Sequence, residues 1–415
     1  MKKSLLLTFL ALWLQADTLS LQSCLKKALA NHPDIKAYLL KVRQEHEALK
    51  SAKSVYLPQI SAFAQYDARH TYVMPNPVTE SFRTVDDDGW TAGVSLTQKL
   101  YDFSKTAHRI DASKTRREIA ELSLEEARAL MRYRVRNAYV LVLVQKEAMK
   151  SRRKDLKAKE ALYEQAKALV AQGLKTRADE SRFLSAVRQA EDALALAAAA
   201  YEKALVALEQ LVGEPISKET ALDETLLESV PAHSDLAESE ILAANPRLRI
   251  AKESVAAYEA TYRSTRAEHY GSIDIVADAT HFDTLSRYDS TLLGVRYAVP
   301  LYSGGRLSAQ AQQAKIARLI AAENAESAKR ALTQELRAIL ADLKEADKRI
   351  AARKAQLLAS RETKALVEAR YKEGVATYME VLDAEAMWLD ARLGLLSARY
   401  HKLERIYRLE YLNGK

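Results

Sequence analysis

Two acids three residues apart, Glu380 and Asp383, follow a turn glycine, Gly374, and are this chain's strongest candidates for charge-based chemistry. Residues three apart share a face of a helix, so the pair presents two carboxylates side by side. Read alone, such acids suit the positive end of a helix dipole. Other groups fall away. Ser303-Gly304-Gly305-Arg306 lacks the Gly-Lys-Ser/Thr that completes a phosphate loop, and its glycines suit a bend from strand into helix. Asp86-Asp87-Asp88-Gly89 lacks the alternating ligand spacing of an EF-hand loop and reads as an exposed loop. The eight histidines are scattered, and none joins Cys, Asp or Glu at metal-ligand spacing. No catalytic, metal or cofactor site is expected, and no nucleophile elbow or Ser–His–Asp grouping is present. These residues describe a passage, not an enzyme.

The elements that must position Glu380 and Asp383 occur twice. Asn31-His32-Pro33 returns as Ala244-Asn245-Pro246, and Leu100-Tyr101 as Leu301-Tyr302. Gly173-Leu174-Lys175-Thr176 returns as Gly374-Val375-Ala376-Thr377, and the Leu208–Gly213 segment as Leu409–Gly414. A repeat this long is a duplicated unit, not a short-period solenoid. The reading divides the chain into a signal peptide over 1–16, a first repeat over 17–213, a linker over 214–235 and a second repeat over 236–415. Lys2 and Lys3 precede the apolar run to Leu14, with Ala16 as the cleavage position; the run is short for a membrane span.

Each repeat reads as helix, β-hairpin, long helix, turn and helix. Only 11 Gly and 8 Pro occur, and neither type interrupts the chain from Asp102 to Gln172 or from Arg306 to Glu373. These stretches are rich in strong helix formers and turn back at Gly173 and Gly374. The hairpins fall at about 59–99 and 272–300, where the period changes to two. Leu293, Val295, Tyr297 and Val299 form the apolar face of the last strand and are expected to meet lipid. Strands of about ten residues suit a tilted membrane crossing. Four of them cannot close a barrel, and open edges in lipid leave backbone groups unpaired. Several chains must therefore pool their hairpins. The alternative is a secreted or periplasmic coiled-coil scaffold or adaptor without a membrane barrel, which leaves the hairpins unexplained.

Net charge is +8, with acids and bases interspersed as on solvated helix faces. No basic cluster with interleaved aromatics points to nucleic acid. Cys24 is the single cysteine, so no intrachain disulfide forms. Leu21-Gln22-Ser23 is a poor lipidation signal, and Cys24 reads as a small buried residue.

The ordered set of motifs resembles the TolC-type outer membrane efflux proteins. It comprises Leu21–Leu25 with Ala30–Pro33, Tyr56-Leu57-Pro58-Gln59-Ile60, Pro300–Arg306, Arg370–Gly374 and Glu380–Ala384. The resemblance covers essentially the whole mature chain. It implies a mainly α fold with a pair of membrane β-hairpins per chain, in which a long antiparallel α-helical barrel continues into a trimeric twelve-stranded transmembrane β-barrel. It also implies an outer-membrane duct for tripartite efflux or type I secretion, with a large periplasmic portion. The implied partners are two further copies, a periplasmic adaptor (membrane fusion) protein, outer membrane lipid and, indirectly, an inner-membrane pump of the RND or ABC type. Glu380 and Asp383 then match acidic rings lining the pore constriction. Asp179 and Tyr371 match closed-state gate contacts beside the turn tips Gly173, Thr176, Gly374 and Thr377. The family pattern has an arginine where this chain has Ala376, so one closing contact is either absent or supplied by Lys175.

Overall fold

The computed structural model describes residues 19–68, 72–73, 82–83, 88–218, 220–228, 237–283 and 287–415. The expected signal segment, Asp86 and Asp87 lie outside them. Two discontinuous compact units result. One holds the segments up to Ala37, Glu125–Asn245 and Ala331–Lys415; the other holds Tyr38–Leu124 and Pro246–Arg330.

Helix α1 (Leu21–Asn31) begins at Ser20, whose side chain accepts a hydrogen bond from Ser23 N. Pro33 opens α2 (Pro33–Ser54), using its fixed φ at the first helical position. Strands β1 (Gln59–Asp67), β2 (Tyr72–Val73), β3 (Phe82–Arg83) and β4 (Gly89–Tyr101) follow. The long helix α3 (Lys105–Ala171) has 67 residues, about 100 Å at 1.5 Å per residue, and α4 (Arg177–Val212) returns. The linker region contains a short helix, α5 (Thr225–Glu228). The second pass runs through α6 (Glu238–Ala244), α7 (Pro246–Ala267), β5 (Ser272–Asp283), β6 (Tyr288–Ala298), α8 (Arg306–Lys372) and α9 (Tyr378–Leu412). Helix α8 also has 67 residues.

In the first unit the run Tyr139–Val144 is almost wholly buried. The Tyr139 hydroxyl donates to Leu19 O at 2.7 Å and accepts from Asp223 N at 3.0 Å, pinning the linker to α3. Helices α8 and α9 are cross-linked by Glu335–Arg408, Asp342–Arg405 and Asp347–Lys402. Asn245 is buried and donates through Nδ2 to Leu412 O at 2.7 Å. Cys24 is fully buried and burial pushes its thiol up to about 11, which suits the reading of a small core residue rather than a lipid anchor.

In the second unit the long strands form one antiparallel sheet in the order β1-β4-β5-β6. Its entry into each long helix is a backbone bend. Gly304 and Gly305 have φ of 59° and 80°, and Phe103 and Ser104 occupy the equivalent places in the first repeat with φ of 53° and 67°. The left-handed region is costly for residues with a Cβ. Phe103 is held there by aromatic neighbours, with ring centroids 4.9 Å from Tyr101, 5.6 Å from Tyr270 and 6.5 Å from Tyr297. Asp102 completes the joint, because its Oδ2 accepts from Thr106 N at 2.9 Å.

Candidate functional site

The pairing register joins the alternation of single strands into one mainly apolar face, with Gln98 within it and His281, Asp283, Asp289 and Thr291 toward its loop end. Ile60, Ala62, Ala64 and Tyr66 on β1 stand opposite Leu96, Val94, Ala92 and Trp90 on β4. Leu96 and Val94 in turn oppose Ala277 and Ala279 on β5, and Ala277, Ile275 and Ile273 oppose Leu293, Val295 and Tyr297 on β6. Side chains alternate across a strand, so this whole set shares one side of the sheet. The other side carries Ser61, Gln65, Thr91, Ser95, Thr97, Lys99, Asp274, Asp278, Thr280 and Arg296. Its polar groups find one another: Ser61 and Ser95 hydroxyls lie 2.7 Å apart, and Lys99 Nζ stands 3.2 Å from Asp274 Oδ1. Phe63, Val276, Phe282 and Leu292 also fall on this side; the Phe63 ring edge lies over Gly93, where an added Cβ would come within 3.0 Å of it. Leu293, Val295 and Tyr297 are 80%, 69% and 57% exposed. Val299 lies one residue beyond β6, which ends at Ala298. The following Pro300 limits the ladder there, because proline has no backbone N–H to donate.

Aromatic rings bound the apolar face at both ends. Tyr66 and Trp90 have centroids 5.1 Å apart at one end, and the Tyr101–Phe103–Tyr270–Tyr297 cluster lies at the other. Trp90 and Tyr101 are eleven residues apart on β4. At about 3.4 Å per residue and a tilt of about 45°, that separation spans about 26 Å. An outer-membrane barrel has an apolar band about 25 Å tall between aromatic girdles.

The two helix turns are built alike. Thr176 caps α4 and Thr377 caps α9, each in a reciprocal capping box. Glu380 N donates to Thr377 Oγ1 at 3.3 Å, while Thr377 N donates back to Glu380 Oε2 at 2.6 Å. Asp179 makes the same pair of bonds with Thr176, at 3.3 and 3.2 Å. Hydrogen bonds from Thr377 hold the Glu380 carboxyl below the usual glutamate range, and those from Thr176 do the same for Asp179. The offset of 201 makes Asp179 and Glu380 equivalent positions, and both take the third place of a capping box. Both acids serve as local caps in the single chain. Gly173 and Gly374 both adopt positive φ, 74° and 75°, as the left-handed helix terminator requires.

Between the turns, Ala166, Phe183, Tyr371, Ala376 and Val381 form a buried cluster. Lys175 Nζ stands 5.9 Å from the Tyr371 ring centroid, a cation–π distance. Burial and the Asp179 charge push the Tyr371 hydroxyl up. The structure thus brings Lys175, Tyr371 and Asp179 to one place, while Ala376 is packed into the cluster. Asp383 is exposed on the first turns of α9. Among the described residues no group of His, Cys, Asp and Glu is arranged to hold a metal ion, and no helix is long and apolar enough to cross a membrane. Sequence reasoning missed Glu385, a charged side chain buried within α9.

The sequence matches the family described as outer membrane efflux protein over residues 24–214 and 238–415. It is 25% identical to the outer membrane efflux protein BepC of Brucella suis over 95% of this chain and 85% of that protein. It is 24% identical to the outer membrane protein TolC of Vibrio cholerae, covering 94% and 89% of the two chains. The fold is similar to that of the MtrE outer membrane channel of Neisseria gonorrhoeae in its open state, with a TM-score of 0.81, 21% identity and coverage of 95% and 88%.

Proposed function

This chain belongs to the outer membrane efflux protein family, and on that premise we propose that it is the outer-membrane exit duct of a tripartite efflux or type I secretion system. The observation that carries this reading is the sheet with one mainly apolar face, polar only at Gln98 and toward the loop end at His281, Asp283, Asp289 and Thr291, and two unpaired edges, β1 and β6. In lipid an unpaired edge is untenable, so β6 of one copy pairs with β1 of the next. Three copies close a ring of twelve strands, with the apolar face toward lipid and the polar face lining the lumen. The helices form the periplasmic duct, which receives substrate through a periplasmic adaptor and, indirectly, an inner-membrane pump of the RND or ABC type. The chain transports and does not catalyse.

In this reading the turns between α3 and α4 and between α8 and α9 close the periplasmic end. Lys175, Tyr371 and Asp179 hold neighbouring turns together, and the Lys175 ammonium over the Tyr371 ring replaces the missing arginine. Glu380 and Asp383, repeated three times around one axis, line the constriction. Glu380 is kept ionised by its cap, which supports a permanent negative field at the narrowest point; rings of acids are a general device for cation selectivity.

Single-channel recording in planar bilayers tests this. The double change Glu380→Gln with Asp383→Asn is expected to weaken cation selectivity and abolish block by a trivalent cation added from the periplasmic side. Wild-type selectivity and block in that variant would place the constriction elsewhere. A well-folded monomer in detergent, in place of a species of three chains, would remove the shared barrel.

A further inference from the structure

Glu385 on α9 is 3% exposed and is met by charged groups from two other helices. Lys364 Nζ on α8 stands 3.4 Å from Glu385 Oε1 and 3.5 Å from Glu368 Oε1, and lies 4.5 Å from the Trp388 ring centroid. The other carboxylate oxygen, Glu385 Oε2, is buried with no hydrogen-bond partner. Glu385 borders a cavity of about 280 Å³ whose lining includes Leu162, Tyr371 and Val381. From α3 comes Asp155, 5% exposed, whose Oδ2 lies 3.2 Å from Lys159 Nζ yet also lacks a hydrogen bond. The charged groups acting on Glu385 are therefore Asp155 from α3 and Lys364 and Glu368 from α8, with Lys372 on the same cavity and Lys159 paired to Asp155.

The first repeat has no such network. Counting back 201 residues, Leu184 stands for Glu385, Tyr163 for Lys364 and Val187 for Trp388, while Gln356 stands for Asp155 in the second. The capping boxes of the two turns match; the packing one to two turns further along does not. A buried carboxylate with an unsatisfied oxygen is relieved by taking up a proton. Burial does push the Glu385 carboxyl up, Lys364 opposes the rise, and Asp155 and Glu368 add to it.

We propose that Asp155, Lys364 and Glu385 form a proton-operated clasp that holds the N-terminal turns of α9 against α3 and α8, firm when Glu385 carries its proton and loosened when it does not. The sign follows from linkage. An acid whose value is raised in the packed state stabilises that state at low pH, and the contribution is lost as pH rises from the ordinary glutamate value through the raised one. The clasp is a property of the single chain and does not depend on assembly into a duct.

Amide hydrogen exchange on the full chain in detergent tests this, with residues 378–390 as the reporter and residues 177–189, the matching helix start without the network, as the internal reference. In the wild type the ratio of opening between the two segments is expected to rise as pH climbs above the ordinary glutamate range, by up to about tenfold per pH unit inside the titration window. In Glu385→Gln the ratio should stay flat and low. A flat wild-type ratio, or a wild-type slope retained in Glu385→Gln, overturns the clasp. Lys364→Met gives a second test: removing the cation that opposes protonation should carry the rise on to higher pH before it levels off, and an unmoved upper end overturns it.

Discussion

A charge walked along β6 tests the membrane face most directly. Leu293, Val295 and Tyr297 lie on one side of the sheet and are spaced about 6.8 Å apart along the strand, or about 5 Å in depth at a tilt of about 45°. Tyr297 belongs to the aromatic cluster that marks one boundary of the apolar face, which the proposed barrel puts at interface level. Leu293 then lies about 10 Å deeper, close to the midplane of a band about 25 Å tall. Arginine costs about 2–4 kcal/mol at the midplane and about 0–1 kcal/mol at the interface. Leu293→Arg should therefore be the most damaging, Val295→Arg intermediate and Tyr297→Arg nearly neutral. Leu292→Arg, one residue away on the polar face, is the control and should cost little. Urea titration of protein folded into lipid vesicles reads the four values. Equal losses at Leu292 and Leu293, or a series that rises toward Tyr297, would refute the assignment of this face to lipid.

Gly271 has φ 75°, and an added Cβ would lie 2.0 Å from Ala298 O; Gly271→Ala should cost about 3 kcal/mol in the same titration, whereas Gly294→Ala, with no neighbour closer than 4.0 Å, should cost far less. Ser104 occupies left-handed backbone, so Ser104→Gly should stabilise the chain by about 1 kcal/mol, seen as a raised urea midpoint; no gain would mean the bend is not strained. Thr377→Ala and Thr176→Ala should each lose about 1 kcal/mol of helix-start stability, read by hydrogen exchange at the first turns of α9 and α4. Both helix starts should also weaken in acid, because Glu380 and Asp179 have lowered values, and such a contribution is present at neutral pH and lost as pH falls through them.

The long helices were legible because nothing interrupts their composition, and Gly173 and Gly374 mark where they end. The apolar face of β6 was legible from alternation within one strand. Its continuation across all four strands was not, because register between β4 and β5 joins residues far apart in sequence. At the turns, the spacing of Thr377 and Glu380 carries the signature of a capping box, a local role that neither a pore acid nor a dipole acid brings to mind. Phe103 and Ser104 gave no warning of positive φ; the bend is visible in the sequence only where the second repeat writes it with glycines. Glu385 was hidden for a different reason. An acid in a charged helix reads as solvated, and its burial is decided by α3 and α8, which arrive from distant segments.

Helices α3 and α8 have the same 67 residues and end in turns that share one buried cluster, which restricts how such a gene tolerates insertions and deletions. Removing seven residues from one long helix, about two turns or about 10 Å, would leave its turn short of the partner while keeping every helix face in phase. Paired deletions in both helices, each matched by a deletion in α4 and α9, would restore the meeting point. Length in this chain is thus inherited jointly: the two turns keep their meeting point only through coordinated changes at four sites.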